Sequence, residues 1–225
     1  KVYSKIKKGV IMKFNQCIYI MLCLAMFGLE VKAEIPDSPP KKWPCDQVYN
    51  PKLDLKALWQ GPDIKDNIKN WWKDDEVIEA VTKLSDPILS EKDGTKIIEG
   101  FAKKHTFVGL VAKKEQKEKL INLFAGLFQK ATDKRRGQYS GIIKFVDRQD
   151  SIRKAIGSAS KKLRELRKSG ASQTDEEYIK YSSQLKWNTR VFDQRTKLTE
   201  YVCEEPVFLE QKIGYQARLI LSYIE

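Results

Sequence analysis

Glu204, Glu205 and Glu210 cluster around Pro206, with Arg190, Asp193 and Arg195 a few residues upstream, and make the one dense charged constellation next to aromatic residues. Carboxylates are the catalytic option that the residue types leave open, because glycan cleavage can run on one or two acids. The constellation therefore carries one expectation, a cell-wall glycan-cleaving enzyme using a glutamate near Pro206. The competing account is structural: Glu205 and Glu210 favour the start of a helix through its dipole, while Arg190 and Asp193 face water or pair locally. Other chemistry has little foothold. His105 is the only histidine, H-E-x-x-H and C-x-x-C-H do not occur, and no G-x-S-x-G supports a nucleophilic triad. Walker and G-x-G-x-x-G loops are missing too, so no metal and no cofactor is expected. His105 is expected as a solvated residue near a helix break.

Cations supply the second candidate. The formal charge is +12, but it is unevenly spread: residues 130–168 hold thirteen Lys and Arg against Asp133, Asp147, Asp150 and Glu165. Arg148, Lys154, Lys161, Lys162, Arg164, Arg167 and Lys168 fall mostly off the apolar stripe, which predicts a charged helix face. Such a face attracts lipid head groups, other anionic envelope polymers or an acidic protein. Nucleic acid is disfavoured because no base-stacking motif interleaves with these cations. The plain alternative is a solvated basic helix. Trp59, Trp71, Trp72 and Trp187 could line a cleft, and are expected as core anchors instead.

The compartment follows from the front of the chain. Lys13, the unbroken apolar run of residues 17–29 and Val31-Lys32-Ala33 read as a secretory signal peptide over residues 12–33. The apolar run is shorter than the roughly 20 residues of a membrane-spanning helix. Residues 1–11, with Lys7-Lys8-Gly9 just before Met12, read as a translated leader. Cys17 and Cys23 leave with the signal, and Leu22 before Cys23 argues against a lipid anchor. Cys45 and Cys203 remain, and one pair in an oxidising compartment predicts one disulfide. The expected location is the bacterial periplasm.

The elements that must position these groups are helical throughout. Residues 34–42, with Pro36, Pro39 and Pro40, predict an extended linker into a single helical domain over 43–225. Two helical turns are expected over 53–59, and a helix from Pro62 to about Leu84, stopped by Asp86-Pro87. A run from Gly94 buries Ile97, Ile98 and Phe101 and falters near His105-Thr106. Leu120, Phe124, Leu127, Phe128 and Ala131 then line a stripe, after which residues 133–137 predict either a turn or a basic stretch inside a longer helix. Ile142, Phe145, Val146, Ile152, Ile156, Ala159, Leu163 and Leu166 keep helical spacing to Ser169-Gly170, a C-terminal glycine signal. Thr174 and Glu177 then read as a capping box. Two antiparallel helices of about 30 residues are expected around that loop. Pro206 is expected to end the second and open the last. No strand pattern is present, so the predicted class is all-α: an irregular antiparallel bundle with a long C-terminal helical hairpin.

Trp43-Pro44-Cys45, Leu58-Trp59-Gln60-Gly61-Pro62, Leu123-Phe124-Ala125-Gly126-Leu127-Phe128 and Tyr201-Val202-Cys203-Glu204-Glu205-Pro206-Val207 to Glu210 together resemble an uncharacterised group of exported helical proteins from proteobacteria. The resemblance covers most of the chain after residue 33. It implies location and fold, and brings no catalytic or binding residue. Helical bundles with a basic face suit holding or bridging partners better than catalysis. The expectation is thus a non-enzymatic exported protein, adaptor or chaperone-like, binding a partner or an anionic envelope surface, of undetermined oligomeric state.

Overall fold

The apolar stripe over residues 120–131 becomes the spine of the core because Leu120, Leu123, Phe124 and Ala125 are completely buried there. The structure, a computed structural model, describes residues 35–36, 38–104 and 110–224. Both the signal-peptide segment and His105 lie outside the described residues. The described part is helical, and no strand occurs in it. After the single turn α1 (Leu55–Leu58) and two 3-10 turns (Asn67–Lys69, Trp71–Lys73) come α2 (Asp75–Leu84), α3 (Glu91–Lys104), α4 (Leu110–Lys168), α5 (Glu176–Lys197) and α6 (Thr199–Leu221).

Helix α4 is one uninterrupted element of 59 residues. At a rise of 1.5 Å per residue it is about 88 Å long. Residues 133–137 are thus a basic stretch inside a longer helix, and the first arm of the hairpin is about twice its expected length. The first half of α4 is packed by α2, α6 and the two 3-10 turns, and α3 packs in turn on α2 and α6, so that Val77, Val81, Leu84, Ile98, Ile213, Ala217 and Ile220 close the core. The Thr95 and Tyr215 hydroxyls, 2.6 Å apart, tie α3 to α6. At the start of α2, Lys119 binds Glu76 at 2.8 Å and Asp74 at 3.2 Å. The Glu76 hydrogen bond is the main cause that raises the Lys119 pKa.

Four expected boundaries need correction. The helix expected from Pro62 begins only at Asp75, because the Asp74 carboxylate accepts from the Glu76 and Val77 amides and makes the true N-cap. Upstream, burial of Trp71 is met by short 3-10 turns instead of a regular helix. The two turns expected at 53–59 reduce to one. The Thr174–Glu177 capping box does not form: the Ser172 amide donates to Asp175 Oδ2 at 2.9 Å, and α5 starts at Glu176 with no side-chain cap. Finally, the second arm ends at Lys197, and Pro206 lies inside α6 instead of opening it. The glycine signal does hold. Gly170, at φ 81°, closes α4 with Ala171 N–H on the Leu166 carbonyl and Gly170 N–H on Arg167, a Schellman motif.

Candidate functional site

Cys45 and Cys203 are bonded, with their Cα atoms 5.5 Å apart across a sequence separation of 158. This fastens residues 43–50, a strap without helix, to the first turns of α6. Aromatic stacking continues the attachment: Trp43 lies on Tyr139 of α4 at 5.3 Å, and Tyr49 meets both rings edge-on. Lys42 pairs with Asp150 of α4, whose carboxyl is held below its ordinary value chiefly by that hydrogen bond. The Tyr49 hydroxyl donates to the Pro36 carbonyl at 2.7 Å, so the expected linker is tied down as well.

Pro206 has no N–H for the carbonyl four residues back, that of Val202, and three other carbonyls around the proline each take a side-chain donor. Side chains serve this stretch. Gln47 of the strap donates to the Cys203 carbonyl, Gln138 to that of Glu205 at 3.2 Å, and Arg135 to that of Pro206 at 3.1 Å. Arg135 is only 5% exposed. Its Nε reaches the Asn50 carbonyl at 2.9 Å, its Nη1 reaches Glu210 at 2.9 Å, and its guanidinium lies over Tyr139. One buried cation therefore joins strap, α4 and α6. Sequence reasoning passed over it, although a signal existed: Arg135 falls on the apolar stripe, four residues from both Ala131 and Tyr139.

This arrangement divides the acidic constellation. Glu210 is committed to Arg135, and Glu205 faces Gln138 and Tyr201, whose phenol pKa it raises by accepting its hydrogen bond. Glu204 is exposed. Arg190 and Asp193 are exposed on α5, and Arg195 points to α4, donating to the Phe145 carbonyl at 3.2 Å with its guanidinium over that ring at 4.3 Å. Among the described residues no ion pair or hydrogen bond joins these three to the glutamates.

The seven predicted cations of α4, from Arg148 to Lys168, lie on the half that pairs with α5. At about 100° per residue, Lys154, Lys161 and Lys168 form one row opposite the buried Ile152, Ala159 and Leu163, with Arg164 on its shoulder. All four are exposed, and among the described residues none has an ion pair at bonding distance. Three others lie off this row: Arg148 is exposed, Lys162 pairs with Glu177 at 3.3 Å, and Arg167 binds the Tyr178 hydroxyl through Nε and Nη2. Of the tryptophans, Trp59 and Trp71 are core anchors as expected. Trp72 and Trp187 are not, being 47% and 66% exposed. The hairpin explains Trp187, because α5 has only α4 as a close neighbour along most of its length and buries a single residue, Tyr178.

Among the described residues, no group of His, Cys, Asp and Glu is placed to hold a metal ion, and no helix is long and apolar enough to cross a membrane. The fold and its sites define the class as a disulfide-linked all-helical protein. No protein-family model matches the chain, and no curated protein or solved structure matches it either.

Proposed function

We propose that this chain is a non-enzymatic binding protein that docks an extended anionic surface of the cell envelope on the outer face of its α4–α5 hairpin. The observation that supports it most is the row Lys154, Lys161 and Lys168, exposed and without ion pairs at bonding distance among the described residues. Successive members are seven residues apart, about 10.5 Å along the axis. That spacing is wider than one phosphate or carboxylate can bridge, so the complementary ligand is an array of anions. It also exceeds the Debye length of about 8 Å at physiological salt, so the row acts through several separate contacts. An exported setting, with residues 12–33 as its signal, makes lipid head groups and anionic envelope polymers the available arrays.

Vesicle flotation tests this reading. The protein should float with vesicles containing anionic lipid at low salt, stay behind with purely zwitterionic vesicles, and be released by added salt. Each lysine near an anionic surface contributes about 1 kcal/mol, so the Lys154→Gln, Lys161→Gln, Lys168→Gln triple variant should bind roughly a hundredfold more weakly. Equal flotation of parent and triple variant, or no flotation at low salt, would sink the proposal.

A further inference from the structure

A second group of lysines lies far along α4 from that row. Lys130 and Lys134 of α4, Lys212 of α6 and Ser85 at the end of α2 line a small cavity of about 40 Å³, whose other walls are Leu84, Leu127, Ala131, Leu209, Ile213 and Gln216. No carboxylate is among its lining residues. Lys134 and Lys212 are only partly exposed. Burial is the main cause that lowers the Lys212 pKa, and the charge of Lys134 lowers it further, more than Asp86 offsets.

Part of this has a structural explanation. Lys212 donates to the Asp86 carbonyl at 2.6 Å and Gln216 to the Leu84 carbonyl at 3.2 Å, so both serve the C-terminal end of α2. That accounts for Lys212 and leaves Lys134 and Lys130 unexplained. Lys134 beside the partly buried Lys212 raises the energy of both cations, and an anion between them relieves it. A water needs roughly 10–15 Å³ of such space, so the cavity takes a few waters or one compact oxyanion. Lys212 and Gln216 are also walls of a neighbouring cavity of about 230 Å³, whose apolar side is Leu89, Gly94 and Phe208 and whose polar side is Ser90, Glu91, Gln211 and Tyr215. Phe208 is 53% exposed at its rim.

We infer that Lys130, Lys134 and Lys212, with the Ser85 hydroxyl, form a site for the phosphate group of a phosphate monoester whose apolar part occupies the adjoining cavity beside Leu89 and Phe208. The site is distinct from the outer row of α4, because it is a cavity on the core-packed half of the helix, where Lys130 and Lys134 stand one turn apart.

The test uses the whole folded protein with its disulfide intact, and reads the Lys212 resonance after reductive 13C-methylation of lysines. In the free protein burial holds the Lys212 pKa below the ordinary lysine value. Inorganic phosphate should move that titration upward, and hexyl phosphate should do so at a lower concentration than inorganic phosphate. Lys134→Met and Lys130→Met, which leave the Lys212 cap of α2 in place, should each weaken hexyl phosphate by about tenfold. Equal action of the two probes keeps the oxyanion site but overturns the apolar part of the ligand. A Lys212 resonance indifferent to both probes, or unchanged affinity in both variants, overturns the site. The outer-row triple variant should retain phosphate binding, so failure here and failure of vesicle docking are separable.

Discussion

Gly126 and Gly157 stand in the same helix and should respond oppositely to the same change. A Cβ on Gly126 would lie 2.6 Å from Val81 Cγ2 and 2.8 Å from the Trp71 indole, both in the core. Nothing lies within 4 Å of a Cβ on Gly157. Alanine favours a helix over glycine by about 0.8–1.0 kcal/mol, and on Gly157 only that gain acts. On Gly126 overpacking of about 1–3 kcal/mol wins. Thermal denaturation should therefore show Gly157→Ala more stable than the parent and Gly126→Ala less stable. If Gly126→Ala proved the more stable, the close packing of α2, the Trp71 turn and α4 would be wrong. Gly61 answers to the same logic, since its Cβ would meet the Trp59 ring at 2.6 Å, and Trp59 itself stacks on Phe124 at 4.0 Å.

Among the elements, the strap over residues 43–50 has no secondary structure of its own and depends on what it is fastened to. Lys42 and Asp150 supply one fastening. The folded pKa of Asp150 lies below its ordinary value of 3.8, with the Lys42 hydrogen bond as the largest cause and Arg153 next among the charges. A depressed carboxylate stabilises the fold above its unfolded pKa and loses that contribution as the pH falls through the folded value. Asp150→Asn should therefore be less stable than the parent near neutral pH, and the gap should close below pH 3.8. Urea denaturation at both pH values checks this, and a gap that persists in acid would exclude the Asp150 carboxylate as its source.

For the whole molecule, the covalent link is the feature that reaches furthest. Cys45 and Cys203 close a loop of separation 158 that contains α1 to α5 and the core spine of α4. In the chain-entropy model closure of so long a loop is worth on the order of 5 kcal/mol, and measured losses on removing native disulfides are about 2–5 kcal/mol. Denaturant unfolding with and without reductant should show a loss in that range. The native protein should also resist thiol labelling at both cysteines until reduced, and ready alkylation of either would contradict the bond. The buried Arg135 reinforces the same junction non-covalently, joining the Asn50 and Pro206 carbonyls to Glu210.

Helical class, the antiparallel turn at Gly170 and the cysteine pair were all legible in the chain, because periodicity, a glycine after a helix and a single pair of cysteines beyond residue 33 are local or countable signals. The break at Leu198 was not. No proline or glycine marks it, and it falls where Arg195 holds the end of α5 to α4 while the disulfide holds α6 to the strap. Pro206 misled for a related reason: its stretch of α6 is held from outside, by the disulfide at Cys203 and by bonds from Gln47, Gln138 and Arg135, all distant in sequence. Composition located the cations of α4, whereas their division between an outer row and contacts with Glu177 and Tyr178 depends on where α5 lies. A residue's own type and spacing fix what it can do locally; which groups it meets depends on free energies of burial and pairing between segments, and those exist only once the chain has packed.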